Sequence, residues 1–131
     1  LFEEMRALGK LAAFTSRIPN QVTPREILGI ATVGGHRALD HGPTDGTLVP
    51  GAVADLIAIP EREIARGPAG AQTLEAALVY GTSGASVSHS MVAGRWLMAE
   101  RELLTIDAAA ALRQQQHDYE TLVARIISCC C

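Results

Sequence analysis

The sequence predicts a mixed α+β chain in which helices bracket a short antiparallel sheet. Three observations carry this. Apolar residues recur at helical spacing at both ends, as Leu1, Met5, Leu8 and Leu11 and again as Leu112, Tyr119, Leu122, Val123 and Ile126. The run "ADLIAI" at 54–59 is apolar and branched but too short for a helix, which makes it a buried strand. Residues 86–106 alternate and are interrupted by turn signals, giving strand, turn, strand, turn and a short strand.

Taken in order, the first helix runs to about Ser16, with Glu3 and Glu4 in its first turn and Arg6 and Lys10 further along, as the helix dipole favours. It stops before "RIPN", because Pro19 biases Ile18 away from helical angles. "TPRE" then opens a second helix: Thr23 is the N-cap, Pro24 the first helical residue, and Glu26 completes a capping box. Ile27, Ala31, Gly34 and Ala38 share one face of it. The pair Gly34 and Gly35, each about 1 kcal/mol worse than alanine in a helix, is expected to allow close backbone packing. A loop at 40–46 leads to the strand at 54–59, and a second loop spans 60–72. Thr73 caps a short helix that Gly81 stops. Turns are expected at Gly94-Arg95 and near Glu100-Arg101, and Asp107 caps the last helix. The order of helix, helix, strand, short helix, two or three strands and helix fits neither a doubly wound fold nor a sandwich able to close on itself. Strands with apolar faces and so few neighbours need cover from elsewhere.

Composition narrows the partners. With 131 residues, 48% of them hydrophobic and 19% charged, the chain can build a core and is not disordered. It has no run of about 18 apolar residues, so no membrane span is expected. A net charge of -3 with scattered Lys and Arg leaves no basic stripe for nucleic acid. No signal-peptide pattern precedes the first helix, which points to a cytoplasmic protein, and a start at Leu1 points to processing or truncation. Cys129, Cys130 and Cys131 lack the spacing of a zinc site and do not form a prenylation box; intermolecular disulfides are their expected chemistry.

Three phrases, "LFEEMRAL", "TPREILGIATVGGHRALD" and "GTLVPGAVADLIAIP", followed by the looser "VSHSMVAGRWLMAERELLTID", succeed one another over nearly residues 1–107. In that order they resemble the C-terminal part of metal-dependent amidohydrolases, the superfamily of cytosine, guanine and adenosine-type deaminases and of triazine hydrolases. The sequence departs from the family pattern at His36, Ala52, Ala93 and Glu100, where alanine, lysine, asparagine and a nearby glycine are usual; none is a catalytic position of the family.

The resemblance implies an α/β parent, a TIM barrel plus a small β-sandwich. Residues 1–45 would be the terminal barrel helices, 46–106 the C-terminal half of the sandwich, and 107–131 a C-terminal helix and tail. It also implies zinc or iron in the parent, held by a His-x-His pair, further histidines and an aspartate, all upstream of Leu1. No residue of this segment is therefore expected to be catalytic, to bind a cofactor or to ligate metal. The remainder of the amidohydrolase chain is the implied partner, in a homo-oligomer acting on a small-molecule substrate.

The residues read alone agree. His36, His41, His89 and His117 fall in different elements without a matched carboxylate: His36 on a helix surface or packed, His41 in a loop near Asp40 and Asp45, His89 on a sheet face, His117 on a solvated helix side. Gly34 and Gly35 make no phosphate loop. Asp55, taken as buried, is expected to accept backbone hydrogen bonds where the strand begins, with Gly46 and Gly51 permitting the turns and Pro50 stiffening the approach. The alternatives are a non-catalytic packing or oligomerisation module and a small enzyme built on His36, His41 and Asp45.

Overall fold

The computed structural model describes residues 1–39, 46–64 and 73–129. Asp40, His41, Asp45, most of the loop before Thr73, Cys130 and Cys131 lie outside the described residues. The first helix, α1, is Phe2–Ser16, ended by Arg17 in the left-handed region (φ 57°). The second begins as expected: the Thr23 hydroxyl accepts from the Glu26 N–H (3.3 Å), and the Glu26 carboxylate accepts from the Thr23 N–H (2.8 Å). It continues as α2 (Pro24–Gly29), a wide π turn over Ile30–Gly34, and α3 (Gly35–Ala38).

These hydrogen bonds from Thr23 hold the Glu26 carboxyl below its ordinary range. Such a group stabilises the fold fully above its unfolded pKa and loses that contribution as pH falls through the lower folded value. Urea midpoints of the wild type and Glu26→Gln should therefore differ at neutral pH, the wild type being more stable, and converge in acid.

Ile27, fully buried, packs with Met5 of α1 and Val79 of α4 (Leu74–Gly81), and Phe2, Leu8, Val22, Leu28 and Ala31 surround them. Thr73 caps α4 by accepting from the Ala76 N–H (3.2 Å). Gly9 lets α1 approach α4: a Cβ there would strike the Tyr80 hydroxyl and lie 3.0 Å from Ile27 Cδ1. Arg6 of α1 donates to the Thr82 carbonyl at the end of α4 and pairs with Glu3. This three-helix cluster holds the buried apolar side chains among the described residues.

The sheet is a four-stranded antiparallel meander in the order β1 (Leu56–Ala58), β2 (His89–Val92), β3 (Arg95–Ala99), β4 (Glu102–Leu103). A bulge lies between β2 and β3, where Ser90 faces Met98 and Met91 faces Trp96. The last helix, α5 (Ala108–Cys129), is capped by Asp107, whose carboxylate accepts from the Ala110 N–H (2.9 Å).

Four expectations are corrected. The strand expected at 54–59 is shorter and not buried: Ile57 is 53% exposed, on an edge strand with one strand neighbour among the described residues. Asp55 is likewise exposed. The expected Gly94-Arg95 turn is one residue earlier, at Ala93-Gly94 (φ 47° and 75°). Two successive positive φ angles are what a two-residue β-hairpin with the right-handed strand twist requires.

The fourth concerns Gly34 and Gly35. A Cβ on Gly35 would meet nothing within 4 Å, and one on Gly34 would lie at ordinary contact, 3.4 Å, from the Gly29 carbonyl of its own helix. The close approach belongs to Gly46 instead, which sits on the π turn, where a Cβ would lie 2.9 Å from the Thr32 carbonyl and Val33 Cα.

Candidate functional site

The segment 46–58 ties helices to sheet, and chemistry-bearing side chains collect around it. Gly46 (φ 77°) and Gly51 (φ 91°) turn the chain, as expected from the sequence, and the Ala52 N–H donates to the Val49 carbonyl (3.1 Å) across the Pro50-Gly51 turn. The chain then reaches the tip of the β2–β3 hairpin. There the Asp55 carboxylate accepts from the Ala93 N–H (2.6 Å) and the Ala54 carbonyl from the Gly94 N–H (3.1 Å). Asp55 thus has the structural role expected of it: it holds a turn.

The turn it holds is strained, since alanine at φ 47° costs roughly 1 kcal/mol that asparagine largely avoids. Ala93→Asn should raise stability by about 0.5–1 kcal/mol, measured as a higher urea midpoint with an unchanged slope. An unchanged or lower midpoint would mean that the turn is not held in this conformation.

A groove of about 350 Å³ runs between the π turn and β1, lined among others by Ala31, Thr32, His36, Gly46, Asp55 and Leu56. His36 is half-buried there, in keeping with the packed reading, and Asp55 lines the same wall system. The small-enzyme alternative required His36 to act with His41 and Asp45, which fall outside the described residues.

The second cluster lies at the other end of the sheet. Ser88 Oγ is 2.8 Å from His89 Nδ1, and His89 Nε2 is 3.4 Å from the Glu100 carboxylate. The succession of serine, histidine and carboxylate resembles a nucleophile with its base, so its geometry decides its role. Ser88 is 6% exposed, and its hydroxyl donates to the Ala58 carbonyl (3.2 Å), while the Ser88 N–H donates to the same oxygen (2.9 Å). The hydroxyl has one proton to share between the Ala58 carbonyl and the ring, and the imidazole tautomer decides which of them receives it. A buried, doubly engaged hydroxyl is a strand-joining group. His89 lies on a sheet face, as the alternation indicated, with its ring edge-on to Trp96 (centroids 5.7 Å apart).

The Glu100-Arg101 turn also has two positive φ angles (49° and 68°) without a glycine. It is held from outside. The Arg101 N–H donates to the Ser88 carbonyl (2.9 Å), its guanidinium pairs with Glu63 (3.1 Å), and Glu100 reaches His89. Sequence reasoning did not find these partners, because no local pattern announces a pair so far apart in the chain.

His117 is exposed on α5, as read from its neighbours. Among the described residues, no three His, Cys, Asp or Glu side chains converge into a set able to hold a metal ion, so the donors present do not fit zinc or iron. Nor is any described helix long and apolar enough to cross a membrane.

Comparison with known proteins accounts for a fold with so few converging groups. No family model matches the chain. It is 41% identical over 103 residues to a 5'-deoxyadenosine deaminase of Methanoregula boonei, covering 79% of this chain and 22% of that protein. It is 31% identical over 122 residues to a 5-methylthioadenosine/S-adenosylhomocysteine deaminase of Syntrophobacter fumaroxidans, covering 93% and 27%. The crystal structure of an adenosine deaminase from Xanthomonas campestris with bound zinc superposes with a TM-score of 0.80 at 26% identity, covering 94% of this chain and 28% of that one. The chain belongs to the amidohydrolase superfamily. Within that superfamily it corresponds to a C-terminal segment of a deaminase-like enzyme, and it spans between a fifth and a third of the length of these relatives. Amidohydrolase ancestry gives the Asp55 clamp its context: the segment "GTLVPGAVADLIAIP" is a fold-organising element of this family member, holding the sheet hairpin against the chain that leaves the helices.

Proposed function

We propose that the full-length protein is a cytoplasmic, metal-dependent amidohydrolase that replaces the exocyclic amine of an adenine nucleoside with oxygen, and that residues 1–131 supply scaffold to it. One water is consumed and one ammonia released per turnover. The observation that carries this reading is the 41% identity with a 5'-deoxyadenosine deaminase, supported by the likeness to a zinc-bound adenosine deaminase. Zinc is accordingly the favoured ion over iron, and its ligands are placed in the part of the protein outside this chain. A bound divalent ion supplies activated water in such sites.

On this reading residues 1–45 complete a TIM barrel, 46–106 close a small β-sandwich, and 107–131 form a terminal helix. TIM barrels carry their reactive groups on the loops at the C-terminal ends of the strands, which fits a segment whose own histidines and carboxylates serve to hold turns. The exposed apolar side chains support the same reading. Phe14 is 82% and Leu48 87% exposed. Ile57 and Val92 are about half exposed on the sheet, and together these side chains leave more apolar surface open than a self-contained domain ordinarily does.

The test is ammonia release by the full-length protein from 5'-deoxyadenosine, 5-methylthioadenosine, S-adenosylhomocysteine and adenosine, followed also as the spectral change from adenine to hypoxanthine. Turnover of at least one of them is expected. A metal-loaded, folded full-length protein inert towards every adenine nucleoside would refute the substrate class.

A further inference from the structure

We propose that Glu100, His89, Ser88 and the Ala58 carbonyl form a proton-sensitive relay that tightens the junction of β1 and β2 when the imidazole is charged. The four groups follow one another in a chain of contacts. The Glu100 carboxylate is 3.4 Å from His89 Nε2, His89 Nδ1 is 2.8 Å from Ser88 Oγ, and Ser88 Oγ is 3.2 Å from the Ala58 carbonyl. Trp96 meets the half-buried ring edge-on, with centroids 5.7 Å apart, and so keeps each ring nitrogen towards its own neighbour.

The chemistry of the groups fixes the direction of each link. A carboxylate only accepts, so in the neutral ring Glu100 draws the proton to Nε2 and leaves Nδ1 as an acceptor. The Ser88 hydroxyl then gives its one proton to Nδ1, and the Ala58 carbonyl is left with the Ser88 N–H alone (2.9 Å). A second ring proton reverses the middle link. Nδ1–H now donates to Ser88 Oγ, the hydroxyl turns its proton to the Ala58 carbonyl, and β1 is held to β2 by two hydrogen bonds from one residue. One proton enters at Nδ1, one hydroxyl rotates, and no other group changes its charge.

Exposure assigns the parts. The Glu100 side chain is 84% exposed, and an ion pair so open to water contributes little to stability, so its part is to choose the tautomer. Ser88 is buried, and there an added hydrogen bond counts. Among the described residues, few other charges stand on the elements beside His89. Arg101 of the same turn is paired with Glu63 (3.1 Å), β1 carries no titratable side chain, and Arg95 of β3 sits opposite Val92 at the far end of β2.

Two measurements on the full-length protein test this. Nitrogen-15 shifts of the histidine rings report the tautomer, the His89 signal being the one lost in His89→Gln. At about pH 8, where a histidine is ordinarily neutral, the Nε2–H form is expected, and Glu100→Ala should bring the Nδ1–H form to a comparable population. Hydrogen exchange followed by mass spectrometry, corrected for the chemical exchange rate, reports the Ser88 amide. Its protection should rise roughly fivefold between about pH 8 and about pH 5.5, the effect of one added hydrogen bond, and His89→Gln should abolish the rise.

Glu100→Ala lies on the surface and decides the matter even where His89→Gln does not fold. A neutral ring protonated at Nδ1, a tautomer indifferent to Glu100→Ala, or protection of Ser88 that ignores pH or changes equally in His89→Gln would overturn the proposal.

Discussion

Replacing Gly46 by alanine should lower the stability of the full-length protein by about 2–4 kcal/mol, one of the two largest effects expected of single substitutions in this segment. Two costs combine. The backbone at Gly46 has φ 77°, a conformation worth roughly 1–2 kcal/mol against any residue with a Cβ. The new methyl would also stand 2.9 Å from the Thr32 carbonyl group and Val33 Cα. Those atoms are backbone within a helical π turn and cannot swing aside as a side-chain tip does, so overpacking adds about 1–3 kcal/mol. Gly51→Ala is the internal control: its φ is 91°, but the space around it is open. The backbone cost alone should appear there, and urea midpoints of the two variants separate it from the clash. Equal losses would show that Gly46 does not press on the π turn.

Ile27→Ala should cost about 3–4 kcal/mol, in the range found for large-to-small changes at fully buried sites. Ile27 is fully buried and joins α1, α2 and α4, touching both other members of the small core, Met5 and Val79. Because that core is small, little surrounding structure can relax into the cavity. Thermal or urea unfolding of the full-length variant measures the loss, and a cost below about 1 kcal/mol would mean that the three helices do not pack as described.

What the sequence revealed follows from how far apart the interacting groups are. Capping is local, so the Thr23–Glu26 box and the caps at Thr73 and Asp107 were legible and occur as expected. The two hairpins were legible as breaks in alternation. The first was placed a residue late because alanine at position 93 does not signal a left-handed turn as asparagine would. The π turn left no trace, since any apolar helical sequence is compatible with it.

Glycine announces a need for space without naming the neighbour, and the close approach assigned to Gly34 and Gly35 is made by Gly46. Asp55 was recognised as structural because a lone carboxylate without a histidine lacks the company of an acid-base site. Its actual partner, the Ala93 N–H, comes from a hairpin remote in sequence. The Glu63–Arg101 contact is equally long-range, the His89–Glu100 contact spans only one strand and two turns, and neither was anticipated.

This amidohydrolase segment is proposed to be scaffold, with the reactive groups elsewhere in the full-length protein. The most direct measurement purifies residues 1–131 alone and the full-length protein side by side, supplies both with zinc, and determines bound metal and ammonia release from 5'-deoxyadenosine. The account predicts stoichiometric metal and turnover for the full-length protein and neither for the segment. A segment that by itself binds one ion per chain and deaminates the nucleoside would contradict it.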